Sequence, residues 1–307
     1  NIGYMATMDD AGRELRGGWI LVDGPAIVAL GDGEPPARSD LTETIDAKGA
    51  LAIPGMVNTH HHLYQTFQRN LPRVQDAKLF DWLVGLYEVW RELRPEDVHV
   101  SAKLGLGELL LTGCTTVADH FYVFPHGQSG ELLDETIHAA RELGVRFHPS
   151  RGSMSRGRSQ GGLPPDDVVQ KPEEILADSE RVIAKYHDAS RYSMCRLTLA
   201  PCSPFSVTDE LLIESAKLAR ARGVRLHTHL AETQDENDFC QKMVGARPLG
   251  YMEKCGWLGP DVWYAHGVWL DEQELKLMAK SGTGIAHCPT SNLRLGSGIA
   301  PIPKALE

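Results

Sequence analysis

Seven apolar runs, each closing on polar residues and alternating with amphipathic stretches, constrain this chain more than any other feature. They are 51–62 (LAIPGMVNTHHH), 115–121 (TTVADHF), 145–152 (VRFHPSRG), 196–203 (RLTLAPCS), 224–232 (VRLHTHLAE), 262–267 (VWYAHG) and 284–289 (GIAHCP). Strands buried on both faces need such near-continuous runs, and strand–helix alternation builds a parallel sheet covered by helices. The stretches between them carry helix signals. Residues 95–112 open with Pro95 and acids and stop at Gly113; 129–143 stop at Gly144 and 208–222 at Gly223. Residues 172–187 and 271–281 read similarly. An open doubly wound sheet and a closed eight-stranded barrel both fit. No G-x-G-x-x-G turn follows the first run, which weakens the dinucleotide-binding version. Polar residues gather at the C-terminal strand ends, where a barrel puts its active site. The expected fold is α/β, a (β/α)8 TIM barrel whose eighth strand would lie just past Glu307.

Ahead of the barrel, 18–30 read as two short strands joined by a turn at Asp23-Gly24-Pro25, followed by a polar stretch over 31–43. Residues 63–95 read as a long loop carrying Phe67, Phe80, Trp82, Tyr87 and Trp90, a lid or pocket wall. Asn1 begins inside a strand-like pattern and Glu307 ends inside a helix-like one, so the chain reads as part of a longer one. With 31 Lys and Arg against 41 Asp and Glu, the net charge is −10, which argues against nucleic-acid polymers and anionic membranes as partners. No run approaches the roughly 20 apolar residues of a spanning helix. Six scattered cysteines without a C-x-x-C pair suggest a reducing cytoplasm.

The 13 histidines are an unusual number, and several of them cluster at strand ends. Side chains alternate along a strand, so His60 and His62 share one face and His61 takes the other. Such a pair is either a metal grip or a polar strand end. His229 and His266 end two further strands and would converge on it in a barrel, where neutral imidazoles suit zinc best, with iron or nickel possible. His227 lies deeper on the His229 face and reads as a hydrogen-bonded core residue. His120, His148 and His287 are open between pocket and packing roles. His99, His138 and His187 lie on helices and read as surface residues. Glu232 is either a proton carrier beside the metal or a solvated loop acid. Asp235, Glu236 and Asp238 read as solvated acids.

These residues resemble the amidohydrolase superfamily in its deaminase branch over nearly the whole chain. PGMVNTHHH (54–62) resembles its first-strand H-x-H motif, HLAET (229–233) its fifth-strand H-x-x-E, WYAHG (263–267) its sixth-strand histidine motif, and 287–302 the segment before its last barrel strand. The resemblance implies one divalent metal, zinc in most members with iron possible, held by His60, His62 and His229. It also implies a small β-sandwich built from both chain ends, with 1–50 as its N-terminal part and 51–307 as the barrel, incomplete at the C-terminus. The branch's eighth-strand Asp is not among these residues. RLTLAPCS lacks the lysine that bridges two metals in binuclear relatives, which favours a single ion.

Within the branch, 63–90, 148–170 and 199–208 resemble the 8-oxoguanine deaminases, which turn 8-oxoguanine into uric acid and ammonia. Hydroxytriazine aminohydrolases are similar over the same stretches; guanine and pterin deaminases are more distant. A non-catalytic barrel scaffold is a further alternative, disfavoured by the intact motifs. The implied partner is a small heterocyclic substrate. Glu232 would protonate its ring nitrogen, and His266 would steer the attacking oxygen. Gln65, Tyr122 and Arg151 would hydrogen-bond the ring edge. Oligomeric state, a homo-oligomer included, stays open.

Overall fold

The computed structural model describes residues 1–128 and 131–307, so the start of the helix expected over 129–143 lies outside the described residues. The chain forms two compact units, one of residues 1–56 with 190–192 and one of 57–189 with 193–307. The first is a single four-stranded layer in the order β3-β2-β1-β4, built from β1 (Ile2–Ala6), β2 (Glu14–Asp23), β3 (Ala26–Gly31) and β4 (Leu51–Ala52). β1 pairs antiparallel with β2, and β2 with β3, while β4 runs parallel to β1. Leu51 and Ala52 therefore extend this small sheet rather than open the barrel, and the boundary expected after residue 50 falls at Met56.

The second unit is a seven-stranded sheet of β5 (Met56–Asn58), β6 (Cys114–Phe121), β7 (Arg146–Ser153), β8 (Thr198–Pro201), β9 (Arg225–Leu230), β10 (Val262–His266) and β11 (Gly284–Ala286), ordered as in the chain. From β6 to β11 each neighbouring pair is parallel. The sheet is rolled. The His60 ring, just past β5, lies 4.8 Å from that of His229 on β9. Trp263 on β10 donates its indole N–H to the Thr59 carbonyl at 3.1 Å. In a flat sheet these strands would stand about 19 and 24 Å from β5, at ~4.8 Å per strand. Closure into a barrel wall brings their ends together.

Helices cover the sheet: α1 (Leu79–Trp90), α2 (Pro95–Leu111), α3 (Leu132–Leu143), α4 (Pro172–Tyr186), α5 (Asp209–Arg222), α6 (Gln234–Val244), α7 (Pro248–Lys254), α8 (Glu272–Ser281), α9 (Pro289–Arg294) and α10 (Ile302–Leu306). The described part of the five anticipated helices lies within about three residues of expectation, the end of α5 being set by left-handed Gly223 (φ +67°). The loop expected over 63–95 instead contains two 3-10 turns and the three-turn α1. The sequence LFDWLVGLYEVW is apolar almost all round, so no polar face announces the helix, although Leu79, Leu83, Leu86, Tyr87 and Trp90 bury one side. Gly105 on α2 allows the close approach behind it. A Cβ there would meet Leu63 Cδ2 at 2.8 Å and Thr66 Oγ1 at 2.9 Å. No helix among the described residues is long and apolar enough to cross a membrane.

Candidate metal centre and active site

β5 ends at Asn58, four residues short of His62, where the first strand was expected to end. His60–His62 continue as an extended segment, pinned where the His120 N–H of β6 donates to the His61 carbonyl at 2.7 Å and the Leu63 N–H donates to Asp119 Oδ1 at 2.8 Å. His60 and His62 still face one way, and on β9 His227 and His229 point to the same side. Nitrogens of His60, His62, His120 and His229 lie within 4.8 Å of one another.

Second partners decide what each ring offers. His62 Nδ1 donates to the His120 carbonyl at 2.7 Å, and His229 Nδ1 to the Cys202 carbonyl at 2.5 Å. A carbonyl only accepts, so both protons sit on Nδ1 and each Nε2 keeps a bare lone pair. Those two Nε2 atoms are 3.0 Å apart. With no proton between them the lone pairs repel, unless a cation takes both. Burial pushes the pKa of His229 down to about 3 and holds those of His60 and His62 well below 6.5. The rings are neutral at pH 7, the form that ligates metals. This donor set fits one divalent ion of the zinc class.

Glu232 follows β9 and His266 closes β10. Glu232 Oε2 lies 3.5 Å from His266 Nε2, and both side chains are buried. His266 Nδ1 meets Asn292 Oδ1 at 2.8 Å, so its proton sits there and Nε2 is an acceptor. Burial alone raises the Glu232 carboxyl to about 8, leaving it mostly protonated at pH 7. An O–H and an acceptor nitrogen therefore stand side by side at the edge of the histidine cluster. The backbone is strained at both places, Ala231 having φ +50° and His266 φ +77°.

Glu236 corrects the sequence reading. It is fully buried in the first turn of α6, not solvated. Its two oxygens accept from the Ala231 and Glu232 N–H groups, each at 2.9 Å, holding the turn that carries Glu232. The signal was present as Thr233-x-x-Glu236, a helix-start spacing in which the Thr233 hydroxyl accepts from the Glu236 N–H. Asn292 was likewise given no role, and its only cue is its place in the HCPTSN segment. His287 lies past the end of β11 and is exposed, so it holds no pocket. His187 is not a free surface group, since its Nδ1 accepts from the Leu197 N–H at 3.1 Å. His120 donates Nε2–H to the Ala200 carbonyl at 2.9 Å and turns a bare, buried Nδ1 without a hydrogen-bond partner.

Of the expected substrate residues, Tyr122 reaches the cluster, its ring 5.4 Å from those of His62 and His120. Gln65 donates Nε2–H to the Tyr64 hydroxyl at 3.2 Å, and the Tyr64 ring packs 5.7 Å from Tyr122. Arg151 is not brought to the site. It pairs in register with Phe121, one residue after inward-facing His120, so it points outward to the helix layer. There it donates to Asp178 Oδ2 at 2.7 Å and Gln170 Oε1 at 2.9 Å, and lies over the Phe124 ring. Losing one partner of such a buried pair costs about 3–5 kcal/mol, which makes it structural. His148 bonds Thr198 Oγ1 at 2.9 Å near the N-terminal strand ends, where a cavity of about 520 Å³ opens away from the cluster.

Residues 51–307 match the model of the amidohydrolase family. The chain belongs to that family. This amidohydrolase is 48% identical over 290 residues to an 8-oxoguanine deaminase of Pseudomonas aeruginosa, covering 94% of the present chain and 64% of that protein. It is 36% identical to a hydroxydechloroatrazine ethylaminohydrolase of Pseudomonas sp. (strain ADP), covering 97% and 64% of the two chains. Among solved structures it resembles an atrazine chlorohydrolase from Arthrobacter aurescens complexed with zinc, at TM-score 0.94 and 36% identity, covering 99% and 68%. The amidohydrolase chain thus spans just under two thirds of the length of these two curated relatives.

Proposed function

We propose that this amidohydrolase is a zinc-dependent hydrolytic deaminase that converts 8-oxoguanine and water to uric acid and ammonia. The observation that carries the chemistry is the protonated, buried Glu232 beside His266, at the edge of three histidines whose Nε2 lone pairs converge. His60, His62 and His229 would hold the ion. A bound divalent ion supplies a water acidified toward neutral pH. Glu232 donates its proton to the ring nitrogen next to the amino-bearing carbon, which makes that carbon electrophilic. His266, fixed by Asn292, accepts a hydrogen bond from the attacking oxygen through Nε2. The new C–O bond forms at that carbon, the C–N bond breaks, and the amino nitrogen leaves as ammonia with one proton gained from water. Water's other proton restores the Glu232 carboxyl, whose own proton stays on the ring nitrogen. Tyr122 and Gln65 offer a hydroxyl and an amide to the ring edge.

The choice of 8-oxoguanine leans on the 48% identity to the Pseudomonas aeruginosa deaminase. Likeness to the triazine-acting relatives at 36% identity, and to an isoxanthopterin deaminase at 39%, which is no more distant than they are, makes a hydroxytriazine or a pterin the second reading. Six unpaired cysteines support a reducing compartment, the cytoplasm. The test compares kcat/KM for ammonia release from 8-oxoguanine, guanine, isoxanthopterin and a hydroxytriazine. A site that bonds the 8-oxo group should favour 8-oxoguanine over guanine by up to about 10⁴-fold. A higher value for guanine or the triazine refutes the substrate and leaves the reaction class.

A further inference from the structure

His60 differs from the other two candidate ligands in what holds it. His62 and His229 give their Nδ1 protons to backbone carbonyls. His60 Nδ1 meets a side chain instead, His227 Nε2, at 2.7 Å. The proton on that contact can be placed. His227 Nδ1 lies 2.9 Å from the Trp263 carbonyl, which only accepts, so the His227 proton sits on Nδ1 and its Nε2 carries a lone pair. At 2.7 Å the facing atom must be a donor, so His60 Nδ1 carries the proton. The His60 Nε2 lone pair is thereby left free to face His62 and His229.

Trp263 holds this arrangement at three points. Its carbonyl takes the His227 proton, its indole stacks on the His227 ring at 4.4 Å and 16°, and its N–H grips the Thr59 carbonyl beside His60. His227 itself is 1% exposed, and both its ring nitrogens are engaged.

We propose that His227, backed by Trp263, is a positioning residue that fixes His60 as the Nδ1–H tautomer and aims its Nε2 at the metal. His227 was expected to be a core histidine, and its burial is as expected, but its partner is a candidate ligand. The inference rests on the metal reading of the site. Such outer partners of metal-bound imidazoles set tautomer and ring orientation, and losing one weakens metal binding by about 10–100-fold.

His227→Phe keeps the stack on Trp263 and removes both hydrogen bonds, whereas His227→Gln can still accept from His60. Zinc affinity is measured by competition with a chromophoric chelator, alongside nitrogen NMR of the His60 ring. The expected result is zinc binding about 10–100-fold weaker in His227→Phe and partly restored in His227→Gln, with His60 Nδ1 protonated in the unaltered protein. Wild-type zinc affinity in a folded His227→Phe, or a bare Nδ1 on His60 in the unaltered protein, overturns the proposal. If the unaltered protein takes up no zinc, the metal reading fails instead, and the NMR signal still decides the tautomer. If His227→Phe does not fold, the glutamine variant and the NMR signal decide.

Discussion

Acidifying the metal-free protein should unfold it well above the pH at which ordinary carboxylates titrate. Burial holds His227 and His229 at about 3 and His266 at about 4 in the folded state. In the unfolded chain each returns to about 6.5. As pH falls below 6.5 the unfolded chain takes up protons that the folded one refuses. Stability is therefore lost from about pH 6.5 downward, until the folded values are reached. Between pH 7 and 5 each such ring costs about 2 kcal/mol, so the three together cost about 6 kcal/mol. That is a large part of the stability of an ordinary domain, about 5–15 kcal/mol. His60, His62 and His120, shifted the same way by burial, and His61 and His148, held at about 4, add to the loss. The buried carboxyls of Glu232 and Glu236, raised to about 8, and of Asp119, raised to about 7, gain stability over the same range and offset part of it. Urea midpoints followed by circular dichroism at pH 7, 6 and 5 should fall steeply, and zinc added at pH 7 should raise the midpoint. Histidine ring signals that titrate near pH ~6.5 in the folded, metal-free protein would mean the rings are not buried as neutral groups, and the argument for converging lone pairs would collapse.

Two substitutions probe the acid. Glu232→Gln should keep zinc and fold yet lose at least about 100-fold in turnover, the scale of a proton-transfer residue; near-normal ammonia release would remove it from the reaction. Glu236→Gln places an amide N–H₂ against one of two buried backbone N–H groups. It should lower stability by about 1–3 kcal/mol in urea titration and reduce kcat by displacing Glu232; an unchanged kcat would show that the turn holds itself.

Much of this was legible because parallel strands announce themselves by continuous apolar runs, and because strand alternation dictates which histidines share a face. That logic placed His60, His62, His229 and His266 on converging strand ends before any coordinates. It does not reach Arg151, because the register that sets Arg151 beside Phe121 is made across two strands. What was not legible depends on contacts across the barrel. Nothing in the string HTHLAE says that His227 meets His60, 167 positions earlier in the chain. Glu236 sits in an acidic run whose other members do face water, and only its helical position after Thr233 turns it inward. Helix α1 was hidden because an almost wholly apolar segment has no contrast between faces to give a period.

The central claim, that three converged imidazoles hold the ion this chemistry needs, is tested most directly by one measurement. Ammonia release from 8-oxoguanine is followed in the protein as purified, after stripping with a chelator, and after adding back one equivalent of zinc. The account predicts that stripping abolishes release and that a single equivalent restores it. Release that continues undiminished from the metal-free protein would contradict the account.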